Sequence, residues 1–384
     1  LGKILHNKGY NICISNSGIK ALELMKTLLP DLILLDIQMP EMDGFEVCKK
    51  IKSNADTKEI PVIFLTAVIE TNKIVQGFEL GAVDYITKPF NDSELSARVA
   101  THIELKIARE KIKTEKEKIE LLNEKLTLAY DNIKESIDYA KYIQDSMLHN
   151  LNFLQAKGIE HLLIYKPKDT ISGDFYWAEE INEKIFISVA DCMGHGVPGA
   201  LLTMSGHNLL NEIINIEKIH DPAQILDNLN VKFQNIFKQN SLKLKQSMEI
   251  ALCVIDLNLK TVEYAGAGIS LFYYNNEVFN KIQADKFYIG SNIFEKDNAL
   301  FTKHIINLQN GTRLFMFTDG ITDQFDKTKQ NKMQKKTFEL QLFLLENQTF
   351  NSVKNKLLEF LDNWQGDNEQ TDDVLVLGLE ISYK

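Results

Sequence analysis

A chain of 384 residues is long for a single core and points to two or three domains. Its 44% apolar and 25% charged content is ordinary for a soluble globular protein, and a net charge of -10 argues against duplex DNA or an anionic membrane as the main partner, since both demand a basic face. No apolar run approaches the roughly 20 residues that span a bilayer, and no charged-then-apolar signal segment opens the chain. Cys13, Cys48, Cys192 and Cys253 lie far apart, without Cys-x-x-Cys spacing or a cluster of histidines. They read as free thiols of a reducing, cytoplasmic compartment, not as a disulfide frame or zinc site. The chain opens on Leu1, and a natural start upstream of it is expected.

In chain order, the apolar runs at 31–36 and 61–66 read as buried parallel strands, with helices at 17–28 and 44–54 between them, an α/β doubly wound unit. Open parallel sheets gather functional groups at the carboxyl ends of their strands, where Asp36, Thr66 and Lys88 fall. Residues 90–157 contain neither glycine nor proline and are expected to form one long helix. Within it Leu105, Ala108, Ile112, Ile119, Leu126, Ile133 and Met147 belong to a seam spaced by three and four, with Lys and Glu crowding its flanks. That pattern predicts a coiled coil joining two chains in a homodimer, with a parallel pair favoured. The other reading is one amphipathic helix packed on its own domain.

Beyond the linker the texture is α+β with mostly antiparallel sheet. Asn182-Glu183, Leu257-Asn258, Asn275-Asn276 and Asn310-Gly311 are turn signals between apolar runs, and Asp221-Pro222 opens a helix as cap and first turn. Asp174, Asp191, Asp319 and the pair Asp372-Asp373 each adjoin an apolar run. Taken singly such aspartates are caps. If they face one sheet edge, their repulsion is tolerable only with bound cations, and oxygen-only ligands without a histidine or cysteine cluster suit magnesium or manganese. Two such ions can share a water, lower its pKa and present hydroxide to a phosphorus atom. Gly194-x-Gly196-x-x-Gly199 raises a competing possibility, since it has dinucleotide-fingerprint spacing. That motif wants an acidic residue at the end of a following strand. Glu212 has the distance, but 200–216 reads as helix, and the dinucleotide reading is disfavoured.

The stretches DLILLDIQMPEMDGFE, FLTA and DYITKPF resemble the receiver domain of bacterial response regulators, a flavodoxin-like fold. The resemblance implies that Asp36 accepts a phosphoryl group from a sensor histidine kinase, Thr66 follows the phosphate, Lys88 pairs with it and Tyr85 is the rotating aromatic. An intact receiver holds Mg2+ with an acidic pair at its first strand. This chain begins inside what should be the first helix, so a receiver lacking its first strand, and inefficient phosphorylation of Asp36, are expected.

SGDFYW, ADCMGHGVPGALLTM, YAGAG, FTDGITD and TDDVLVLGLE, in this order, resemble the metal-dependent PPM (phosphatase 2C-like) superfamily, in its SpoIIE/RsbU-like branch of serine/threonine phosphatases. ESIDYAKYIQDSML resembles the helix that precedes the catalytic domain there. This implies an α+β sandwich of two β-sheets flanked by helices, with a receiver at 1–100, a helical linker at 101–149 and a phosphatase at 150–384. It implies two Mn2+ or Mg2+ ions bridged by Asp191, with the Cys192 carbonyl completing one shell, Asp319 and Asp372 on the second ion, and Asp174 outside through water. Leu375 replaces the usual threonine after the acidic pair, which leaves Asp372 and Asp373 to be distinguished. His195 is read as a structural loop residue ahead of a general acid, and the lysine-rich 321–335 as solvated loop or substrate-contacting flap. The expected substrate is a phosphoprotein, in this branch often an anti-sigma factor antagonist; no nucleic acid or membrane partner is expected. A catalytically silent scaffold and a small-phosphomonoester hydrolase are the other function classes.

Overall fold

The computed structural model describes residues 1–67, 71–237, 246–275, 278–291, 300–345 and 348–382. The chain divides into two compact units, Leu1–Ala129 and Tyr130–Lys384.

The first unit contains α1 (Gly2–Asn7), α2 (Gly18–Leu24), β1 (Ile33–Asp36), α3 (Gly44–Ser53), β2 (Val62–Thr66), α4 (Thr71–Glu79) and β3 (Asp84–Thr87), followed by the long helix α5 (Asp92–Met147). Its strands form a parallel sheet in the order β1-β2-β3. β2 is buried throughout because it is central and covered on both faces, which is why its sequence is a continuous apolar run. α3 starts at a capping box: Asp43 accepts the Glu46 N–H while Glu46 accepts the Asp43 N–H. Residues 11–15 form no strand, and Ile14 there is 78% exposed. The helix expected over 17–28 is shorter, giving way to a turn after Leu24.

α5 spans 56 residues, yet it ends at Met147, short of residue 157 where the absence of glycine and proline would have let it run, and α6 (Phe153–Ala156) follows as a separate short helix. The cause is tertiary packing: Leu151 and Leu154 turn into the core of the second unit. Along the middle of α5 the seam residues are uncovered in the single chain, with Ile112 68%, Ile119 55% and Leu126 68% exposed. This middle stretch therefore does not pack on its own unit.

The second unit continues with β4 (Ile159–Lys166), β5 (Asp174–Ile181), β6 (Lys184–Cys192), α7 (Gly196–Asn211), α8 (Pro222–Phe237), β7 (Met248–Asp256), β8 (Thr261–Ala267), β9 (Leu271–Asn275), β10 (Val278–Ile282), β11 (His304–Asn307), β12 (Thr312–Phe317), α9 (Lys335–Leu344), α10 (Phe350–Gln365) and β13 (Val374–Ile381). Two five-stranded antiparallel sheets, β10-β9-β12-β13-β4 and β11-β8-β7-β6-β5, lie face to face. Ile187, Val189, Ala251 and Cys253 from one meet Leu314, Met316, Leu375 and Leu377 from the other. α7 and α8 cover the outer face of the β5–β8 side, with Phe186, Phe233 and Leu252 between them. α9 and α10 cover the opposite outer face around Phe317, Phe338 and Leu357. Both faces of each central strand are thus buried, so β6 and β13 lack the alternation usual for antiparallel sheets.

Turn chemistry follows the residues. Asn182 and Glu183 both adopt positive φ, 51° and 66°, as the tight hairpin joining β5 to β6 requires. Asp221 caps α8 by accepting the Ala223 and Gln224 N–H groups. Leu257-Asn258 and Asn310-Gly311 turn as expected, whereas Asn276 of the remaining signal lies outside the described residues. Residues 321–335 are tied in place: Gln324 Nε2 donates to the Gly320 carbonyl at 2.6 Å, and Met333 is fully buried.

Candidate functional site

The antiparallel register does the assembling. The β5–β6 pairing sets Asp174 opposite Asp191, and the β6–β7 pairing sets Asp191 opposite Glu249. Residues opposite one another in adjacent strands point to the same face, so three carboxyl side chains form a row at one end of this sheet. The second sheet brings Asp319, at the end of β12, and Asp372-Asp373, just before β13. These two strands pair with each other, and a Cβ on Gly320 would stand 1.7 Å from the Asp373 carbonyl, so only glycine lets the two strand ends meet.

Asp174 and Asp373 are buried, and Asp191 is half-buried. Thr318 Oγ1 donates to Asp174 Oδ2 at 2.7 Å and receives the Leu375 N–H at 3.1 Å, so the threonine is an oriented bridge between the sheets. Burial, first of all, pushes the Asp174 carboxyl well up, followed by the charges of Asp373, Asp372 and Asp319 against the Thr318 hydrogen bond. Burial likewise pushes Asp191 well up, with Asp174, Asp319 and Glu249 adding repulsion. Asp319 is also raised, by desolvation first and then by the charges of Asp323 and Asp372, and it lies within hydrogen-bonding reach of Asp191. Glu249 is raised by burial and by Asp319, with Lys335 opposing.

The terminal acidic pair divides its labour. Asp373 accepts the Lys168 N–H and the Gly173 N–H, each at 2.7 Å, and so is spent on holding the loop before β5. Asp372 is half-exposed, and its charge bears on Asp174, Asp319 and Asp373. Cys192 is buried and its thiol is pushed well up, by that burial first and then by Asp191 and Asp174.

The glycine-rich turn is a packing device. A Cβ on Gly199 would stand 2.1 Å from the Gly194 carbonyl oxygen, and one on Gly173 2.4 Å from the same atom. Gly194 and Gly196 take positive φ, 92° and 66°. Glu212 continues helically from α7 and pairs with Lys232 at 2.8 Å, with no strand after it, which removes the dinucleotide reading.

Among the described residues no three histidine, cysteine or acidic side chains form a ready-made metal cage. The donor set nonetheless fits a hard divalent cation. It is all oxygen, and the carboxyls of Asp174, Asp191 and Asp319 crowd one another closely enough that the charge of Asp319 raises the pKa of the other two, a conflict that bound positive charge would relieve.

In the first unit Asp36 ends β1 and forms an ion pair with the Lys88 ammonium, while the Gln38 N–H donates to its Oδ1 at 3.3 Å. Thr66 ends β2, between these two strands, and its carbonyl accepts the Lys88 N–H at 2.7 Å. Tyr85 lies in β3 with its ring edge-on to Phe78. Asp36, Thr66 and Lys88 therefore meet at one sheet edge.

Sequence reasoning missed Glu249, Thr318 and Gln144. Glu249 was visible as a charge inside the apolar strand run MEIALCVID, a residue type seldom buried without cause. Gln144 is the buried polar residue of α5. Its Nε2 donates to the Ser172 carbonyl at 2.7 Å and to Thr203 Oγ1 at 3.0 Å, and its Oε1 accepts the Ser172 N–H at 3.0 Å. No local signal marks it, because its partners come from β5's approach and from α7.

Residues 182–382 match the family Stage II sporulation protein E (SpoIIE), and residues 1–100 match the response regulator receiver domain. The SiaA-PP2C domain of Pseudomonas aeruginosa is a similar solved structure, with a TM-score of 0.59 and 27% identity, covering 66% of this chain and 99% of that one. A probable cyclic di-GMP phosphodiesterase of Vibrio cholerae is 39% identical over 131 residues, 34% of this chain and 30% of that protein. RpaA of Synechocystis, a DNA-binding dual master transcriptional regulator, is 44% identical over 95 residues, 25% of this chain and 39% of that protein. The chain thus spans well under half the length of these relatives.

Proposed function

We propose that this chain, which belongs to the Stage II sporulation protein E family, is a receiver-controlled phosphatase acting on phosphoserine or phosphothreonine of a partner protein. The observation that carries the reading is the meeting of Asp174, Asp191 and Asp319 from two sheets, where each carboxyl is raised in part by the charge of another acid. Asp191, Asp319 and Asp372 would hold two Mn2+ or Mg2+ ions with the Cys192 carbonyl, while Asp174, fixed by Thr318, stands outside. Bound there, the ions would supply positive charge that acidifies a water and offsets the phosphate.

The chain's own residues do the rest. Asp373 fixes the loop that presents Asp174, the Gly173–Gly199 packing fixes the turn after Asp191, and Thr318 sets the distance between the sheets' carboxylates. Asp36, beside Lys88 and Thr66, is the phosphoacceptor for a sensor histidine kinase, with Mg2+ in an intact receiver and Tyr85 as the responding aromatic. The exposed α5 seam pairs two chains in a coiled coil. Each large apolar side chain left in water forgoes about 1.5–3 kcal/mol, which favours a partner along that seam. An anti-sigma factor antagonist is the substrate type this reading favours, in a cytoplasmic setting.

The test is hydrolysis of a phosphoserine peptide by the full chain with and without manganese, for wild type and Asp191→Asn. Manganese-dependent release of phosphate that the variant lacks supports the reading. Binding of the phosphopeptide without cleavage would instead make the chain a scaffold, and cleavage confined to small phosphomonoesters would remove the protein substrate.

A further inference from the structure

Helix α5 carries an acid where an apolar seam should have none. With its heptads lettered abcdefg, Ile112, Ile119 and Leu126 take a positions, and Ala108, Glu115 and Leu122 take d positions. Glu115 thus interrupts a row whose large members stay in water in the single chain, with Leu122 54% exposed. The seam has no such freedom at the far end of α5. There Gln144 is bonded to Ser172 and Thr203, and Leu148 packs on the core of the second unit. The uncovered stretch, about four heptads from Leu105 to Ile133, is long enough for a coiled coil.

Around Glu115 the side chains leave an open groove lined by Lys111, Ile112, Glu115, Lys116, Ile119 and Glu120. Ile112, Glu115, Lys116 and Ile119 are an a, d, e and following a residue, the four that form the hole for a d side chain of a parallel neighbour. In register, that side chain is the partner's Glu115, and the hole offers it the ammonium of Lys116. Within one chain Lys106 reaches Glu110 at 3.6 Å and Lys116 reaches Glu120 at 3.8 Å, whereas Lys111 and Glu115 have no ion pair among the described residues.

The flanks discriminate between orientations. Antiparallel helices set g against g, which here brings the lysine flank of Lys111, Lys118 and Lys125 against its own copy. Parallel helices set g against the e residue of the following heptad. Glu104 then meets Arg109, Lys118 meets Asn123, and one conflict is left, Lys111 against Lys116. Glu115 lies one turn from Lys111 on its own helix and beside Lys116 across the seam, so its charge resolves that conflict.

We propose that α5 pairs with a second copy of this chain in parallel and in register, and that Glu115 fixes this arrangement from between Lys111 of its own helix and Lys116 of the other. The proposal rests on the coiled-coil dimer of the reading above. An acid in the seam costs stability relative to leucine and favours the one pairing whose lysines neutralise it. A slip of one heptad sets one chain's Glu115 against Leu122 and Asn123, where no cation answers it.

The experiment uses the full chain carrying Cys13→Ser, which removes the exposed thiol and leaves the three buried ones. Ile112→Cys is expected to give disulfide-linked dimers under a mild oxidant, because in register each a residue faces its own copy. Glu115→Lys is expected to raise the dimer Kd in sedimentation by about tenfold or more, and Lys116→Glu added to it to bring Kd back within a few fold of wild type. Both positions are exposed in the single chain, so unchanged circular dichroism should accompany the loss of dimer. A wild-type dimer in which Ile112→Cys links only to Ala129→Cys chains is antiparallel and overturns the proposal, as does a Glu115→Lys defect that Lys116→Glu fails to rescue. A monomeric wild type would overturn the dimer reading and the proposal together, while peptide hydrolysis tests the phosphatase reading separately.

Discussion

Aspartates at strand ends are handled oppositely in the two units. In the first, each has a cation: Lys88 pairs with Asp36, and Arg98 Nη1 donates to both Asp84 oxygens at 2.8 and 2.9 Å. Burial pushes the Asp84 carboxyl up, but Arg98, the Tyr85 N–H and His102 outweigh it and hold the group below the ordinary range. In the second unit Asp174, Asp191 and Asp319 face one another, and all are raised. A carboxylate paired within the fold is finished as a structural element. A set of carboxylates left in mutual conflict lowers stability and persists where something outside the chain resolves the conflict.

The comparison is broken most directly at Asp191. Asp191→Asn should lower phosphoserine peptide turnover by about 10²–10³-fold, and in EDTA the same variant should melt higher than wild type, because one member of the repelling set is gone. Thermal melts with and without manganese check the second half; a lower melting temperature in EDTA would count against stored repulsion. Next comes Gly199→Ala, whose added methyl meets the Gly194 carbonyl at 2.1 Å and is expected to cost about 3 kcal/mol in urea unfolding. If it is neutral, the turn is not set by that crossing.

Smaller effects sharpen the contrast through pH. The Asp84 contribution is present above the unfolded carboxylate value of about 3.9 and is lost as pH falls through its lower folded value. Asp84→Asn should cost the first unit about 1–2 kcal/mol near neutral pH and remove that acid sensitivity. The raised carboxyls of the cation-free second unit work the other way: its stability should rise as pH falls from neutral toward that same unfolded value, since the folded form binds more protons. Hydrogen exchange followed unit by unit across pH 3 to 7 would separate the two. The smallest expected effect on the single chain is Ile119→Asp. Being 55% exposed, it should change monomer stability by no more than about 0.5 kcal/mol while abolishing dimers in sedimentation.

Much of this was open to reading in the chain itself. The apolar runs of β2, β6 and β13, the Asn182-Glu183 hairpin turn and the Asp221 cap act through neighbours a few residues away, so composition and spacing suffice to find them. Four of the five motifs locate the aspartates for the same reason, since each aspartate adjoins one end of an apolar strand. Helix α5 was found by its lack of glycine and proline, but that signal overruns its end because Leu151 and Leu154 answer to a core built from distant strands.

Only the tertiary structure could decide which aspartates do what. Asp372 and Asp373 are adjacent and chemically identical, and they part company because backbone N–H groups some 200 residues away, at Lys168 and Gly173, point at one and not the other. Glu249 joins the row through strand register. Residue identity sets what a group can donate, accept or repel; which group it meets is set by pairing between segments that local sequence does not encode.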